Sequence, residues 1–325
     1  VIIVHNQQYN VLIIGAGNIG AFFDTPSHSR VLTHAHAFTK HPGFKLVGFV
    51  DTNSEKCSQA ANLWGGGAYT AVDEAFSEND IDIVTVAVPD EFHYPILLDL
   101  AERPIKAVFA EKPLAKKKEE SLALFRAYKR RPLPLCVNYT RRFVPEFEEL
   151  RAAIAAGTFG AFLTGTGYYG KGILHNGSHM IDLLRFLIGD ISDGTVVGKV
   201  SDFFPEDPST TCVITFRSGA VFFLGAVDCR MFTIFETDLI FERKRVRIID
   251  SGYTIQEFGI KDDPMYKGYK KMVSQREVST SMGDALYRAA ENIYDHLESD
   301  CPLKCTGEDG WMAVDICSRL IGNGK

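Results

Sequence analysis

VLIIGAGNIG, Val11 to Gly20, joins a short apolar run to glycines at 15, 17 and 20, with helix-like sequence beyond. A buried strand, a glycine-rich turn and a following helix form the context that a dinucleotide-binding turn requires. In that arrangement Gly15 allows the tight turn and Gly17 lets the backbone approach a pyrophosphate. Gly20 lets the helix pack closely on the strand, and Asn18 and Ile19 complete the loop. The phosphates would sit at the helix N-terminus, where unpaired N–H groups and the dipole favour an anion. Taken alone, the hexapeptide also fits a glycine turn made only for packing.

Asp51 strengthens the dinucleotide reading. It closes the next apolar run, KLVGFVD, where a carboxylate accepts the ribose hydroxyls of an adenosine. The separation from the glycines is about ten residues longer than the usual ~20. FFDTPSHSRVLTHAHAF, 22 to 38, reads as an insertion or extended loop that accounts for the excess. A carboxylate here repels a 2′-phosphate, so NAD is expected and NADP disfavoured. The alternative for Asp51 is a helix N-cap, a role Asn53 or Ser54 also fits. His34 and His36 lack nearby partners at metal-ligand spacing and read as solvated or hydrogen-bonded histidines; no metal is expected.

Outward from this point, near-continuous apolar runs alternate with helix-like segments. The runs are KLVGFVD (45–51), IDIVTVAV (81–88), IKAVFA (105–110) and LPLCVN (133–138). The helix candidates are SEKCSQAANLW, DEFHYPILLDLAER and KKKEESLALFRAYKR, the last with a stripe of Leu122, Phe125 and Tyr128. Parallel strands covered on both faces have this pattern, so residues 1–138 read as a doubly wound α/β Rossmann domain. Residues 139–325 change pattern. Helix-like PEFEELRAAIAAG, FLTGTGYYG and a helix around SHMIDLLRFLIG lead into TTCVITFRSGAVFFLGAVD and FTIFETDLIFERKRVRIIDSGYTIQEF. Turn signals at Ser218-Gly219 and Ser251-Gly252 mark an open, mostly antiparallel sheet. ALYRAAENIYDHLES and GWMAVDICSRLIG close this second α/β domain.

The chain has 325 residues, 46 % hydrophobic and 23 % charged, with a net charge of −6 and basic residues scattered rather than clustered. No nucleic-acid partner is expected. No run approaches the ~18 apolar residues of a membrane span, and the opening lacks signal-peptide features, so a cytoplasmic location is expected. The seven cysteines are odd in number and dispersed, four of them in core-like runs, so disulfides are not expected; Cys301 and Cys305 read as buried or half-buried free thiols rather than a metal site.

AEKPLA, 110 to 115, ends a core strand on a glutamate and a lysine, which is costly unless they are paired, solvated at a cleft, or used. Together with GAGNIG, VAVPDEFHYP, NYTRRFVPEF and GILHNGSHMIDLL, in that order, it resembles the Gfo/Idh/MocA oxidoreductases, the glucose-fructose oxidoreductase and inositol dehydrogenase group. The resemblance implies an NAD(P)-dependent dehydrogenase that moves a hydride between nicotinamide and a secondary alcohol or ketone of a sugar, sugar nucleotide or polyol. It also implies a homo-oligomer, a dimer or tetramer, built on the open sheet.

By the same resemblance Lys112 touches cofactor and substrate and Glu111 holds the loop, Glu111 alternatively forming a surface ion pair with a neighbouring cation; in this tight turn Pro113 is a candidate for a cis bond. Val88, Pro89, His93 and Asn138 lie near the cofactor, with His93 alternatively a packed helix-face histidine. His179 exchanges a proton with the substrate hydroxyl, and Asp182, three residues on, orients it or caps the local network. Where the family often carries aspartate this chain has His175, then Asn176. That histidine faces a phosphate or carboxylate of the substrate, hydrogen-bonds in neutral form, or caps the helix. One of Tyr168 and Tyr169 faces a cleft and the other the core. Arg141 and Arg142 reach a charged substrate or form salt bridges at the domain junction. The rival from another class is a non-catalytic dinucleotide-binding sensor or scaffold with the same fold.

Overall fold

The computed structural model describes residues 7–322; the expectation for the opening residues 1–6 lies outside them. The chain begins with β1 (Tyr9–Ile14), α1 (His34–Lys40), β2 (Phe44–Val50), α2 (Ser54–Trp64), β3 (Gly67–Tyr69) and α3 (Val72–Glu78). It continues through β4 (Ile83–Val86), α4 (His93–Leu100), β5 (Ala107–Ala110), α5 (Lys118–Arg130) and β6 (Leu135–Val137). Next come α6 (Pro145–Ala155), β7 (Phe162–Tyr169), α7 (Gly177–Leu187), β8 (Ile191–Phe204), β9 (Asp207–Phe216) and β10 (Val221–Ala226). The remainder is β11 (Phe235–Phe241), β12 (Lys244–Ile249), β13 (Thr254–Asp262), β14 (Lys270–Ser279), α8 (Ala285–Ser299) and α9 (Gly307–Gly322).

Two compact units result, one of residues up to 143 with 283–314, the other of residues 144–282 with 315 onward. Unlike a single boundary after residue 138, this division returns α8 to the first unit. The reason is packing: the Tyr294 ring lies 5.0 Å from that of His41 and 5.7 Å from that of Phe44.

In the first unit six parallel strands run in the order β3-β2-β1-β4-β5-β6. Val11, Leu12 and Ile13 of β1 are fully buried, as a central strand covered on both faces must be. The order reverses between β1 and β4, so the carboxyl ends of β1, β2 and β4 frame the crevice where ligands bind in open α/β sheets. Asn53 caps α2 by accepting the Lys56 N–H at 3.0 Å, which leaves Asp51 outside the helix. The buried face of α5 is Ser121, Leu124, Ala127 and Tyr128. Leu122 and Phe125 of the expected stripe are half-buried, and Phe125 stacks on Trp311 at 5.4 Å, an aromatic partner from a distant helix.

The second unit is an eight-stranded sheet in the order β14-β13-β12-β11-β7-β10-β9-β8, in which only β7 and β10 pair in parallel. The doubly wound sheet and the mostly antiparallel one are the two architectures expected from the sequence. β8 and β14 escaped the sequence reading, and both are edge strands with mostly polar or exposed residues. Helix α7 lies on one face of the sheet, where a Cβ at Gly177 would stand 2.7 Å from the Tyr169 ring.

Candidate functional site

The three glycines of the turn differ in their surroundings. Gly15 has φ +103°, donates its N–H to Val50 O at 2.8 Å, and a Cβ on it would meet Ala87 O at 2.5 Å. A Cβ on Gly20 would meet Gly15 O at 2.0 Å, whereas a Cβ on Gly17 would meet nothing within 4 Å. The turn therefore packs tightly at both ends and stays open in the middle. One expectation fails: Asn18–Phe22 is a single five-residue π-type turn, and among the described residues no regular helix begins before α1. The glycine loop thus runs into a short turn rather than into a long helix whose dipole could favour an anion. Asn18 is exposed, Ile19 half-buried.

Asp51 belongs to this loop. Its Oδ2 accepts the Ala16 N–H at 2.9 Å and its Oδ1 the Asn53 N–H at 2.9 Å. The long segment before α1 is also ordered by polar contacts. Asp24 accepts the Leu32 N–H and the Thr33 hydroxyl and pairs with His36 Nδ1 at 2.8 Å. Both His34 and His36 are buried and hydrogen-bonded rather than solvated.

At the end of β5 the AEKPLA stretch is buried on either side of one residue. Glu111, Pro113, Leu114 and Ala115 are buried and Lys112 is half-buried. The Lys112–Pro113 bond is cis. Glu111 is no surface ion pair: His34 Nε2–H donates to its Oε1 at 2.9 Å and Asn138 Nδ2–H to the same oxygen at 2.6 Å. Burial pushes the Glu111 carboxyl up, but the His34 hydrogen bond and charge, the Lys112 ammonium and the Asn138 amide outweigh it and hold it below the usual carboxylate range. His93 is fully buried, its ring nitrogens 2.6 Å from Pro113 O and 2.9 Å from Val88 O, so it packs between loops as a clasp. Val88 is half-buried and Pro89 exposed. Arg141 is buried, and Arg142, also buried, pairs with Asp309 at 2.9 Å, a salt bridge inside the first unit.

In the second unit the residues before α7 form a turn held from below by two carboxylates that the sequence reading missed. Asp207 accepts the N–H groups of Leu174 and His175, each at 2.8 Å. Asp202 accepts the Lys171 N–H at 2.5 Å and the Ser209 hydroxyl at 3.0 Å. Burial pushes Asp202 up, yet the donors from Lys171, Ser209 and Cys229 keep its carboxyl below the usual range. Lys171 (φ 72°) and Gly172 (φ 80°) are both left-handed, and a Cβ on Gly172 would stand 2.1 Å from Asp207 Oδ2. No spacing in the sequence reveals these anchors, because they reach back from the β8–β9 hairpin.

This turn delivers His179 on the first turn of α7, half-buried, its ring 6.5 Å from that of Phe235. Asp182 follows on the same helix and is buried. The His175 ring stacks beside Phe203 at 6.2 Å and Phe204 at 5.3 Å, and Asn176 donates its amide to Gly170 O at 2.9 Å. Tyr169 is the core tyrosine, bonded through its hydroxyl to Thr210. Tyr168 is 48 % exposed and lies on the sheet face opposite Tyr169 and α7, so it does not share the surroundings of His179.

A parallel sheet in this strand order, with a tight-open-tight glycine turn and a carboxylate hydrogen-bonded to that turn, defines a dinucleotide-binding Rossmann protein. Two observations fit the dinucleotide itself: the open space over Gly17 suits a pyrophosphate, and Asn138 Oδ1 is buried without a partner among the described residues, an acceptor a carboxamide N–H can fill. The chain belongs to the Gfo/Idh/MocA oxidoreductase family. Residues 9–139 match its "Oxidoreductase family, NAD-binding Rossmann fold" and residues 169–321 its "Oxidoreductase family, C-terminal alpha/beta domain".

An inositol 2-dehydrogenase of Corynebacterium glutamicum is 28 % identical over 49 % of this chain and 44 % of its own length. A levoglucosan dehydrogenase of Pseudarthrobacter phenanthrenivorans is 27 % identical over 68 % of this chain and 59 % of its own. The chain thus spans about half the length of the curated relatives it matches. Among solved structures, a levoglucosan dehydrogenase in complex with NADH superposes with a TM-score of 0.78 at 19 % identity, covering 98 % of this chain and 97 % of that one. A UDP-N-acetylglucosamine 3-dehydrogenase from Acidithiobacillus ferrooxidans gives 0.77 at 19 %, covering 97 % of each chain. At that identity the likeness is one of fold.

Proposed function

We propose that this protein is an NAD-dependent dehydrogenase acting on a secondary alcohol or ketone of a sugar-like compound: a sugar, a polyol such as an inositol, or a sugar nucleotide. The observation that carries this reading is the position of Lys112, the half-buried residue of an otherwise buried EKP loop at the carboxyl end of β5, where open parallel sheets bind ligands. The names of the relatives, dehydrogenases of inositol and levoglucosan, support the substrate class.

NAD, when bound, would supply the hydride acceptor or donor at the Lys112 end of the sheet. The protein's own residues do the rest. The loop from Gly15 to Gly20 holds the pyrophosphate, Asp51 the ribose and Asn138 the carboxamide. Lys112 hydrogen-bonds the reacting oxygen and stabilises negative charge developing on it. His179 takes or returns the hydroxyl proton, work that suits an imidazole because its ordinary pKa lies near neutrality. Asp51, ending β2 as a carboxylate, favours NAD over NADP by repelling a 2′-phosphate. His175 and Asn176 sit on the turn before α7 and contribute to substrate choice. The protein assembles as a homo-oligomer through the open sheet.

The test is reduction of NAD and, separately, NADP across inositols, levoglucosan, free sugars and UDP-sugars, with Lys112→Ala and His179→Ala beside the native protein. Expected is turnover of at least one compound, falling by about 100-fold or more in each variant while NAD still binds. NAD binding without turnover of any compound would replace the enzyme with the non-catalytic sensor.

A further inference from the structure

The EKP loop is gripped on both sides of its lysine by histidines that do not belong to it. On the amino-terminal side, His34, the first residue of α1, bonds through Nε2–H to Glu111, and its Nδ1 lies 2.6 Å from Thr85 Oγ1 on β4. The Phe109 ring lies against the same imidazole at 4.9 Å. On the carboxyl-terminal side, His93, the first residue of α4, reaches the Pro113 carbonyl and ties it to Val88, two residues past the end of β4. Thr85, His34 and His93 are all 0 % exposed and Glu111 7 %. A polar chain buried this deeply is costly when incomplete, so its members hold one arrangement.

One grip is anchored on β4 through Thr85, the other on the loop just after that strand through Val88. The backbone is tied to the same strand, since the Glu111 N–H donates to Val86 O at 2.9 Å. Only Lys112 in this stretch is left partly exposed.

We propose that His34 and His93 are positioning residues for Lys112: two buried imidazoles fix the residues immediately before and after it, through the Glu111 carboxylate and the Pro113 carbonyl, and thereby set where its ammonium stands. The inference rests on the role of Lys112 in the reaction proposed above. Neither histidine touches substrate. Their worth is geometric, and a reacting group displaced by about 1 Å loses on the order of 100-fold in rate.

The experiment has two arms. In the first, the native protein and the His34→Gln, His34→Ala, His93→Gln and His93→Ala variants are labelled with sulfosuccinimidyl acetate. Acetylation rates at Lys112 are read by peptide mass spectrometry against exposed Lys56 and Lys118, and melting temperature and NAD affinity are followed in parallel. The inference expects a severalfold change at Lys112 alone, larger in the alanine variants and partly restored by glutamine, which keeps an amide donor. Unchanged Lys112 labelling in folded variants overturns it. Where an alanine variant does not fold, the glutamine variant at the same position carries the reading.

The second arm is a double-mutant cycle on turnover. If the histidines act through Lys112, His93→Ala and His34→Ala cost about 100-fold alone and little in a Lys112→Ala background. Additive losses overturn the inference, whereas full activity of Lys112→Ala itself overturns the proposed role of the lysine. The two failures are therefore distinct.

Discussion

At the scale of single residues, the glycine turn separates folding from binding. Gly20→Ala drives a Cβ into a backbone oxygen that cannot move cheaply, so a loss of about 1–3 kcal/mol or more is expected, read as a lower melting temperature. Gly17→Ala meets open space, so the melting temperature holds while NAD affinity, measured by fluorescence titration, falls about tenfold or more; unchanged affinity would remove the pyrophosphate from that loop. Glu111 carries a pH dependence with a definite sign. Its folded-state pKa lies below the unfolded value of about 4.3, so its contribution to stability is complete above that value and is lost as pH falls through the lower, folded one. Glu111→Gln is expected to lower the melting temperature at neutral pH and to flatten its decline in acid; parallel curves for the two proteins would show that the carboxylate is not held this way. These residues also mark the limit of a sequence reading. Glu111 was recognised as important, but His34 stands 77 positions away from it and gave no local sign of burial or partner.

At the scale of elements, the turn ahead of α7 is built by another hairpin. Asp207→Asn removes a charged acceptor from two N–H groups, each such bond being worth about 1.5–3 kcal/mol, and should destabilise the turn while leaving NAD affinity intact. Hydrogen exchange of the Leu174 and His175 amides is the direct readout, and unchanged protection would mean that the turn is held by its own backbone. Helices α2 and α8 coincide with the segments read from the sequence, because a cap or an amphipathic stripe marks each locally. The α5 stripe was displaced by a residue or two because the partner of Phe125 is Trp311, which no period within the helix announces. Strands β8 and β14 were illegible for a different reason: as sheet edges they bury little apolar surface, and the pattern that reveals a strand is the pattern of burial.

At the scale of the whole molecule, thiol chemistry follows burial. Burial pushes the Cys212 thiol up to about 12 and those of Cys136 and Cys317 higher still, while Cys301 is exposed, which corrects the expectation that Cys301, like Cys305, is buried or half-buried. Ellman's reagent on the native protein should therefore titrate Cys301 first and Cys229 more slowly, the remainder appearing only on unfolding. The second sheet presents Phe223, 50 % exposed, and Tyr168 on one face, beside the paired Asp238 and Arg245. If assembly uses that face, Phe223→Lys lowers the mass measured by light scattering without unfolding the unit; an unchanged mass moves the interface elsewhere.

The sequence by itself determined the parallel sheet, the glycine turn, the acid that closes β2 and the EKP loop, because each is written in adjacent residues: continuous apolar runs, a fixed glycine spacing, a charge at a strand end. Only the tertiary structure decided which groups hold those features in place. The histidine clasps on the EKP loop, the carboxylates under the turn before α7 and the return of α8 to the first unit join residues tens to hundreds of positions apart. Such pairings are set by how the elements pack, and no local pattern encodes them.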